Sequence, residues 1–359
     1  MKKLSTLQLI PGMIVAEDVV SYDHQLILAR GTVLTDKIIS RLDLYGILTV
    51  NVNDYEPAAS SQNIVPKDLS YSERVKQSHA FKAFRKDYEI NVESFRTTIN
   101  KIVEKNIRLD MTALIKHSLN MITSHQGTIG ILDMLQNMRE YDDSTYSHSM
   151  NVALICNILA TWLHMSQSDI KLATACGLLH DVGKLMIPHD IITKPAKLTE
   201  EEYSEIRKHP VTGYELLLSQ DVDEHVRNAA LMHHERNDGS GYPLKLKGNQ
   251  IDLFASIVSI ADVYDAMTAA RVYRGPLCPF RVIEAFEDEG MQRYNVEVLL
   301  TFLENVTNTY LRNRCRISDG REGDIIFINK QKLSRPVVKT GSQYVDLAEQ
   351  PTLRIECLI

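Results

Sequence analysis

Histidines are concentrated in one part of this 359-residue chain. Eight of the twelve lie in a single segment, at positions 148, 164, 180, 189, 209, 225, 233 and 234. Histidine is the commonest metal ligand in proteins, and it can also move protons near neutral pH. The concentration therefore indicates metal chemistry in this segment. The histidines at 164, 189 and 225 stand alone in sequence, and we assign them no role.

Two adjacent pairs of candidate ligands lie within the segment. His180-Asp181 follows the apolar run 172–179, and His233-His234 precedes a glycine-rich loop. Neighbouring residues of a regular helix point about 100° apart, so such a pair cannot readily chelate one ion there. At a helix end, or where a carboxylate bridges two ions, the pairing makes chemical sense. Two such pairs therefore predict a two-metal site.

Three further residues complete the candidate ligand set, namely His148, His209 and Asp262. Asp262 lies in the otherwise apolar sequence SIVSIADVYDAM, where a carboxylate is costly to bury unless it is paired or binds a metal. Taken alone, it could equally be a solvated helix residue, and an isolated His-Asp pair often occurs by chance. The ordered set of imidazoles and carboxylates, without thiolate, favours two divalent ions, Fe or Mn first, with Zn, Ni, Co or Mg as alternatives.

Lys184 and the loop 233–243 are candidate substrate contacts. Lys184 follows the His180-Asp181 pair by about one helical turn, where an ammonium can bind a phosphate oxygen; otherwise it is a solvated lysine. The loop reads HHERNDGSGYP, in which the glycines allow positive φ and the proline restricts the chain, so that Tyr242 is held in a defined place. A polar turn is the simpler alternative, but the length of the motif argues against it.

Sequence patterns predict a mainly α protein with small β-containing parts at both ends. We divide it into a small α+β module (1–56), a linker (57–68), a helical connecting region (69–138), a helical domain with the candidate ligands (139–311) and a short C-terminal β element (312–359). The first part has β-prone runs at 15–20, 26–29 and 48–52 and a predicted helix over 36–45. In the last part, strands are predicted over 324–328, 336–340 and 353–359.

Helix signals place the candidate ligands near helix ends. Thr199 and Glu202 form a capping box for a helix predicted to run to His209, and Pro210 begins the next. Asp223 is predicted to cap a helix that ends at the His233-His234 pair. Further helices are predicted over 253–270 and from residue 279, and His148 lies near the start of its own helix.

Composition limits the classes of function. The chain is 44% hydrophobic and 24% charged, with a net charge of −6, which is ordinary for a globular protein. Its negative charge argues against general nucleic-acid binding, which needs a surplus of Lys and Arg. The uncharged segment 144–168 is too short in its apolar part to cross a bilayer. Five cysteines without a C-x-x-C pair suit a reducing compartment. We expect a cytoplasmic protein without nucleic-acid or membrane partners.

Taken together, these motifs resemble the HD-GYP proteins, a subgroup of the HD metal-dependent phosphohydrolases that degrade cyclic di-GMP. The resemblance runs from about 144 to 311 and covers YSHSMNVA, HDVGKLMIP, ITKPAKLTEEEY, KHPVTGYELL, HHERNDGSGYP and ADVYDAMTAARVYR. It implies an all-helical HD-GYP domain with two metal ions. One ion would be held by His148, His180, Asp181 and Asp262, and Asp181 would bridge to a second ion held by His209, His233 and His234.

The same resemblance implies the activity. Such a protein hydrolyses cyclic di-GMP to linear pGpG, with GMP as an open second product, through a hydroxide activated by two metal ions. Asp181 and Lys184 would be catalytic, with Lys184 also on a non-bridging phosphate oxygen and Tyr242 as a further substrate contact. Arg271 and Arg274 would contact phosphates or guanine faces, which suits planar guanidinium groups; a solvated helix end is their simpler interpretation.

The chain departs from the family pattern at two places. The family usually has Asp-Arg-Pro-Tyr-Arg where this sequence reads Ala270-Arg271-Val272-Tyr273-Arg274, which keeps both arginines but leaves the stiffness of the loop open. Ser144 stands where some members have a glutamate that helps to bind a third metal. The sequence therefore predicts two ions and not three.

Other functions stay open at this point. The same site could act on another cyclic dinucleotide or on a nucleotide monoester. Alternatively, the protein could bind cyclic di-GMP without hydrolysis, or bind protein partners through its Gly-Tyr-Pro loop, although none of the expected ligands is missing. The region 69–138 could form a homodimer, but amphipathic helices more often pack on their own domain. Nothing in residues 1–56 indicates which signal they receive.

Overall fold

A computed structural model describes the protein at residues 2–5, 9, 13–20, 26–34, 38, 42, 47, 49–53, 71–105, 108, 110–124, 128–138, 145–194, 196–269 and 277–359. The chain divides into two compact units, 1–66 and 67–359.

The first unit contains two small antiparallel sheets. Strand β1 (Lys2–Ser5) pairs with β4 (Thr49–Val52), and β2 (Val19–Val20) pairs with β3 (Leu26–Leu28). Its own apolar cluster includes Val15, Leu34 and Val50. Strands were expected near β2, β3 and β4, whereas β1 was not predicted. Of the predicted helix over 36–45, only Ile38 and Leu42 belong to the described residues, and both are helical. The predicted linker up to residue 68 lies outside them.

The second unit is built mainly from helices. They are α1 (Tyr71–Gln77), α2 (His79–Lys105), α3 (Met111–Ser124), α4 (Thr128–Met138), α5 (Thr145–Trp162), α6 (Gln167–Leu179), α7 (His189–Ile192), α8 (Glu200–Ile206), α9 (His209–Leu218), α10 (Glu224–Met232), α11 (Leu253–Thr268), α12 (Pro279–Ala285), α13 (Met291–Arg293) and α14 (Val296–Thr309). A short 3-10 turn, Val182–Met186, follows α6. The mainly α prediction is confirmed.

Local capping explains where several of these helices begin. The capping box of Thr199 and Glu202 opens α8, and the side chain of Asp223 accepts a hydrogen bond from the backbone of His225 at the start of α10. Our expectation that the first of these helices runs to His209 was wrong, because α8 ends at Ile206 and His209 is the first residue of α9. Proline lacks an N–H donor, so Pro210 fits the first turn of a helix and not the last.

Helices α5 and α6 form the centre of the core. The middle of α5 is buried on all sides, from Met150 to Ala160. Gly177 of α6 faces Ala153 of α5 so closely that a Cβ at Gly177 would lie 2.8 Å from the Ala153 Cα. This close approach fixes the spacing of the two helices. The predicted metal ligand His148 lies in α5, and His180 directly follows α6.

Helix α2 packs against the same core. The hydroxyl of Tyr88 donates to the carbonyl of Ser147 at 3.1 Å and lies 2.6 Å from the side-chain oxygen of Asn151. These contacts flank His148 on both sides in α5. The buried apolar residues from Phe81 of α2 to Ile355 near the C-terminus form one continuous cluster. The helices predicted as a connecting region therefore support the first turn of α5.

An antiparallel sheet follows the helices, with strand order β8-β7-β6-β5-β9. Its strands are β5 (Arg314–Ile317), β6 (Glu322–Phe327), β7 (Val337–Thr340), β8 (Gln343–Asp346) and β9 (Ile355–Leu358). The predicted C-terminal β element is confirmed, although β5 and β8 were not predicted. The carboxylate of Glu287 accepts hydrogen bonds from the backbone of Leu333 and Ser334, and Arg335 pairs with Glu284 at 2.6 Å. These contacts fasten the sheet to the helical part.

Among the described residues, every helix is too short or too polar to span a lipid bilayer.

Candidate metal centre

The structure brings all the predicted metal ligands together in two groups. Asp181, His209, His233 and His234 form one group, and His148, His180 and Asp262 form the other, with the potential ligand atoms of each group within 4.8 Å of one another. The ligands come from the first turn of α5, the junction after α6, the start of α9, the end of α10 and the middle of α11. Segments distant in sequence thus converge on one site.

Asp181 lies between the two groups. Its Oδ2 is 3.4 Å from Nε2 of His180 and 3.7 Å from Nε2 of His148. Its Oδ1 is 3.2 Å from Nε2 of His209 and 3.6 Å from Nε2 of His233. Each carboxylate oxygen therefore faces a different group, which is the arrangement that a bridging ligand requires. The ammonium of Lys184 also donates to Oδ2.

Backbone carbonyls orient three of the imidazoles. The Nδ1–H groups of His180, His209 and His233 donate to the carbonyls of Gly177, Ile206 and Ala230 at 2.7, 2.7 and 3.0 Å. Because a carbonyl only accepts, each ring carries its proton on Nδ1 and turns the lone pair of Nε2 into the site. Such partners of the second nitrogen hold metal-binding histidines in position.

Unsatisfied atoms in the site fit metal binding. Nε2 of His180 and Oδ1 of Asp181 are buried and have no hydrogen-bond partner in the described part of the chain. Nε2 of His209 and Nε2 of His233 lie 3.2 Å apart, although neither has a proton to give when its ring is neutral. Buried polar atoms without partners are rare and costly. Divalent cations would satisfy all of these lone pairs at once.

Asp265 is a component of the site that the sequence analysis missed. Its Oδ2 accepts from Nδ1 of His148 at 2.8 Å, while Nε2 of the same ring lies 3.1 Å from Oδ1 of Asp262. Asp265 is buried and follows Asp262 by three residues in α11. This spacing places both carboxylates on one helix face and is the signal that could have revealed it. Asp265 thus orients His148, as the carbonyls orient His180, His209 and His233.

The charges of the site are strongly coupled. Burial opposes the charged form of His148, but its hydrogen bonds to Asp262 and Asp265 outweigh burial and raise its pKa to about 10. Burial opposes ionisation of Asp181 as well, yet His180 and Lys184 hold its pKa well below the usual range. Burial lowers the pKa of His233 to about 4. Asp181 is thus held in the anionic form that binds cations.

The loop that follows His234 is held by a buried carboxylate. Glu235 accepts hydrogen bonds from the backbone N–H groups of Leu244 and Leu246, at 2.6 and 3.0 Å. A Cβ at Gly241 would lie 2.5 Å from the backbone of Glu235, so only glycine allows the loop to fold back this closely. Glu235 was given no role from sequence. It fixes the path of the chain after Tyr242.

Tyr242 contacts the metal centre through an aromatic stack. Its ring lies 4.7 Å from the ring of His234, with 21° between their planes, and it precedes a cis peptide bond to Pro243. Burial raises the pKa of its phenol. The predicted substrate contacts Arg271 and Arg274, like Ser144 and Ala270, lie outside the described residues.

Replacing Asp265 with asparagine is expected to weaken metal binding by about 10- to 100-fold, because the neutral amide no longer supports His148 as a ligand. A competition titration with a chelating dye measures this affinity for each bound equivalent. Asp221→Asn serves as the control, since Asp221 is exposed and distant in sequence from every ligand. Equal affinities in the two variants would contradict the orienting role of Asp265.

Gly183 allows the turn after Asp181 to contact the start of α9. A Cβ at Gly183 would overlap the carbonyl oxygen of His209 and lie 2.6 Å from the backbone nitrogen of Gly213. We expect Gly183→Ala to lower the free energy of unfolding by about 1–3 kcal/mol, because both neighbours are backbone atoms that cannot turn aside. Chemical denaturation measures the loss.

Gly213→Ala is the matched control for this substitution. Its Cβ would meet the nitrogen of Gly183 at 3.2 Å, so the same contact is tested from the other side with less overlap. The smaller loss is expected in Gly213→Ala. An equal or larger loss there would show that the approach of Gly183 to His209 is not the critical contact.

Comparisons with known proteins agree with this geometry. Residues 130–298 match the family model of the HD domain. The chain is 34% identical over 206 residues to a cyclic di-GMP phosphodiesterase of Pseudomonas aeruginosa, an alignment that covers 57% of this chain and 50% of that protein. It is 40% identical over 147 residues to a cyclic di-GMP phosphodiesterase response regulator of Xanthomonas campestris, covering 40% and 39%.

A third relative has a different substrate in its name. The 3′3′-cGAMP-specific phosphodiesterase 1 of Vibrio cholerae is 41% identical over 148 residues, covering 40% of this chain and 34% of that protein. The chain thus spans half of the length of these curated relatives, or less.

Proposed function

We propose that this chain, whose residues 130–298 match the family model of the HD domain, is a metal-dependent phosphodiesterase that hydrolyses cyclic di-GMP to linear pGpG. The observation that carries the proposal is the position of Asp181, whose two oxygens face two separate groups of ligands. A site of this kind suits phosphodiester hydrolysis. The names of two relatives support cyclic di-GMP as the substrate.

We propose the ligand assignment that the family resemblance implied. His148, His180 and Asp262 hold one ion, His209, His233 and His234 hold the other, and Asp181 binds both. When bound, divalent ions supply Lewis acidity and a water of lowered pKa. The orphaned Nε2 of His180 and Oδ1 of Asp181 support this assignment. Nitrogen and oxygen ligands without thiolate favour Fe or Mn.

Lys184 has a role in phosphate binding within this proposal. Its ammonium contacts Asp181, and one quarter of the Lys184 side chain is exposed, with a relative accessibility of 25%. It can therefore reach a phosphate oxygen beside the metal centre without leaving its place in the fold. An ammonium there stabilises the charge that develops on the phosphate during hydrolysis. Tyr242, Arg271 and Arg274 remain further proposed substrate contacts.

The relative named for 3′3′-cGAMP supports a second candidate substrate. The two cyclic dinucleotides share the phosphodiester ring and differ in one base, so the same metal centre could act on either.

We also propose a cytoplasmic location, in keeping with five unpaired cysteines. The limits 139–311 for the catalytic domain, a homodimer and protein partners of the Gly-Tyr-Pro loop also remain proposals.

The test is an anaerobic assay of the purified protein with Mn²⁺ or Fe²⁺. We expect the protein to hydrolyse cyclic di-GMP to pGpG and to hydrolyse 3′3′-cGAMP at an equal or lower rate. Chromatography of the products detects any GMP. His189→Ala is the control for substitutions of the proposed ligand histidines, since His189 is exposed and belongs to neither ligand group. It should hydrolyse cyclic di-GMP like the wild type. Tight binding of cyclic di-GMP without turnover in the metal-replete protein would instead favour a sensor, and preferred turnover of a nucleotide monoester would reassign the substrate.

A further inference from the structure

Arg207 lies at the edge of the metal centre. It follows the last residue of α8 and precedes His209 by two residues. Its guanidinium carbon lies 4.3 Å from the centre of the Tyr242 ring, the same ring that stacks on His234. A single aromatic ring thus links this guanidinium to a proposed metal ligand. A contact of this kind holds a long side chain in place while its N–H groups stay available.

Tyr203 extends this surface along α8. The backbone N–H of Arg207 donates to the carbonyl of Tyr203 at 3.0 Å, so the two side chains share one helix face. Half of the Tyr203 side chain is exposed, at 50%. Its phenol is close enough to Tyr242 to contribute to the raised pKa of that residue, after burial. Tyr203, Arg207 and Tyr242 thus lie together at the edge of the metal centre.

The guanidinium of Arg207 is available to an anion. It is exposed and has no carboxylate partner in the part of the chain that the structure describes. Two neighbouring lysines differ, because each is already paired with a carboxylate: Lys194 with Glu202 and Lys208 with Glu205. Arg236 is also occupied, since it donates to the hydroxyl of Ser259 and to backbone carbonyls.

We propose that Arg207 binds the second phosphate of the cyclic dinucleotide, the one that is not cleaved. This inference rests on the proposed function. A cyclic dinucleotide has two phosphodiester groups, and the metal centre with Lys184 accounts for one. The other keeps its negative charge on binding and needs a cation of its own. A guanidinium held against Tyr242 offers two parallel N–H donors to its oxygens. Tyr203 offers an aromatic face to the adjoining base.

The test compares two substrates in the metal-replete protein. Cyclic di-GMP has both phosphates, whereas bis(p-nitrophenyl) phosphate has one and no base. We expect Arg207→Ala to lower kcat/KM for cyclic di-GMP by about 10- to 100-fold, mainly through KM, in line with a lost charge-assisted hydrogen bond. The loss on bis(p-nitrophenyl) phosphate should be at least about tenfold smaller. Arg207→Lys, which keeps the charge but not the planar fork, should fall between Arg207→Ala and the wild type.

Lys208→Ala is the control, because Lys208 is the next residue, is exposed and pairs with Glu205. It should match the wild type on both substrates. Equal losses for Arg207→Ala on the two substrates, or no loss on cyclic di-GMP, would overturn the role of Arg207. If the wild-type protein hydrolyses neither substrate, the proposed function is overturned instead. The failure of the role of Arg207 and the failure of the proposed function are therefore distinct results.

Discussion

Replacing Asp181 with asparagine is expected to lower kcat for cyclic di-GMP by at least about 10³-fold. The substitution keeps the size of the side chain but removes the charge between the two groups of ligands. Bound divalent ions contribute several kcal/mol to the transition state of such reactions. Since each factor of ten corresponds to about 1.4 kcal/mol, the loss of that contribution gives the expected magnitude.

The double variant His180→Ala with Asp181→Ala extends this prediction. It removes ligands from both groups, and we expect no measurable hydrolysis. The variants are compared with Asp221→Asn in a steady-state assay, and their helical content is checked by circular dichroism. Activity retained in a folded double variant would refute the assignment of the site. If the double variant does not fold, the kcat of Asp181→Asn decides, because this substitution keeps the size of the side chain.

Metal removal is expected to lower the melting temperature by about 6 °C. A ligand that binds only the folded state at about 1,000 times its Kd stabilises it by about 4 kcal/mol. With an unfolding entropy of about 2.1 cal/mol/K per residue, one kcal/mol shifts the melting temperature of the unit 67–359 by about 1.6 °C. The physical reason is local, because Asp181 is a buried carboxylate beside the facing Nε2 atoms of His209 and His233.

Scanning calorimetry of the metal-replete and the chelator-treated protein measures this shift. The His180→Ala, Asp181→Ala double variant is the control, since its melting temperature should not respond to the chelator. If the wild-type protein melts at the same temperature in both states, the buried ligands do not bind metal strongly in the folded protein.

The sequence predicted the candidate ligands because each lies in a short motif with a distinct composition. All of the proposed ligands converge in the structure, although they come from five separate segments. The division of the ligands into two groups came from the family resemblance, since spacing alone could not show which residues share an ion. In the structure the candidate ligands form two groups, with Asp181 between them.

The residues around the candidate ligands were harder to predict. Asp265, Glu235 and Arg207 act through tertiary contacts with His148, the Tyr242 loop and the Tyr242 ring. Of these, only Asp265 has a local signal, its spacing from Asp262. A carboxylate that accepts hydrogen bonds from a loop nine residues away looks like any other glutamate until the chain has folded.

The short strands illustrate a different limit. Strand β8 reads QYVD and β5 reads RCRI, and both are too short and too polar to be distinguished from loops by propensity. They are strands because each pairs with a neighbour, β8 with β7 and β5 with both β6 and β9. Pairing of this kind depends on context more than on local sequence.

Anomalous diffraction from crystals grown with Mn²⁺ tests the central claim most directly. The claim is that Asp181 joins two ions, one in each group of ligands. We predict two strong anomalous peaks, one on each side of the Asp181 carboxylate. A single peak with Asp181 as a terminal ligand, or three well-occupied peaks, would contradict the account.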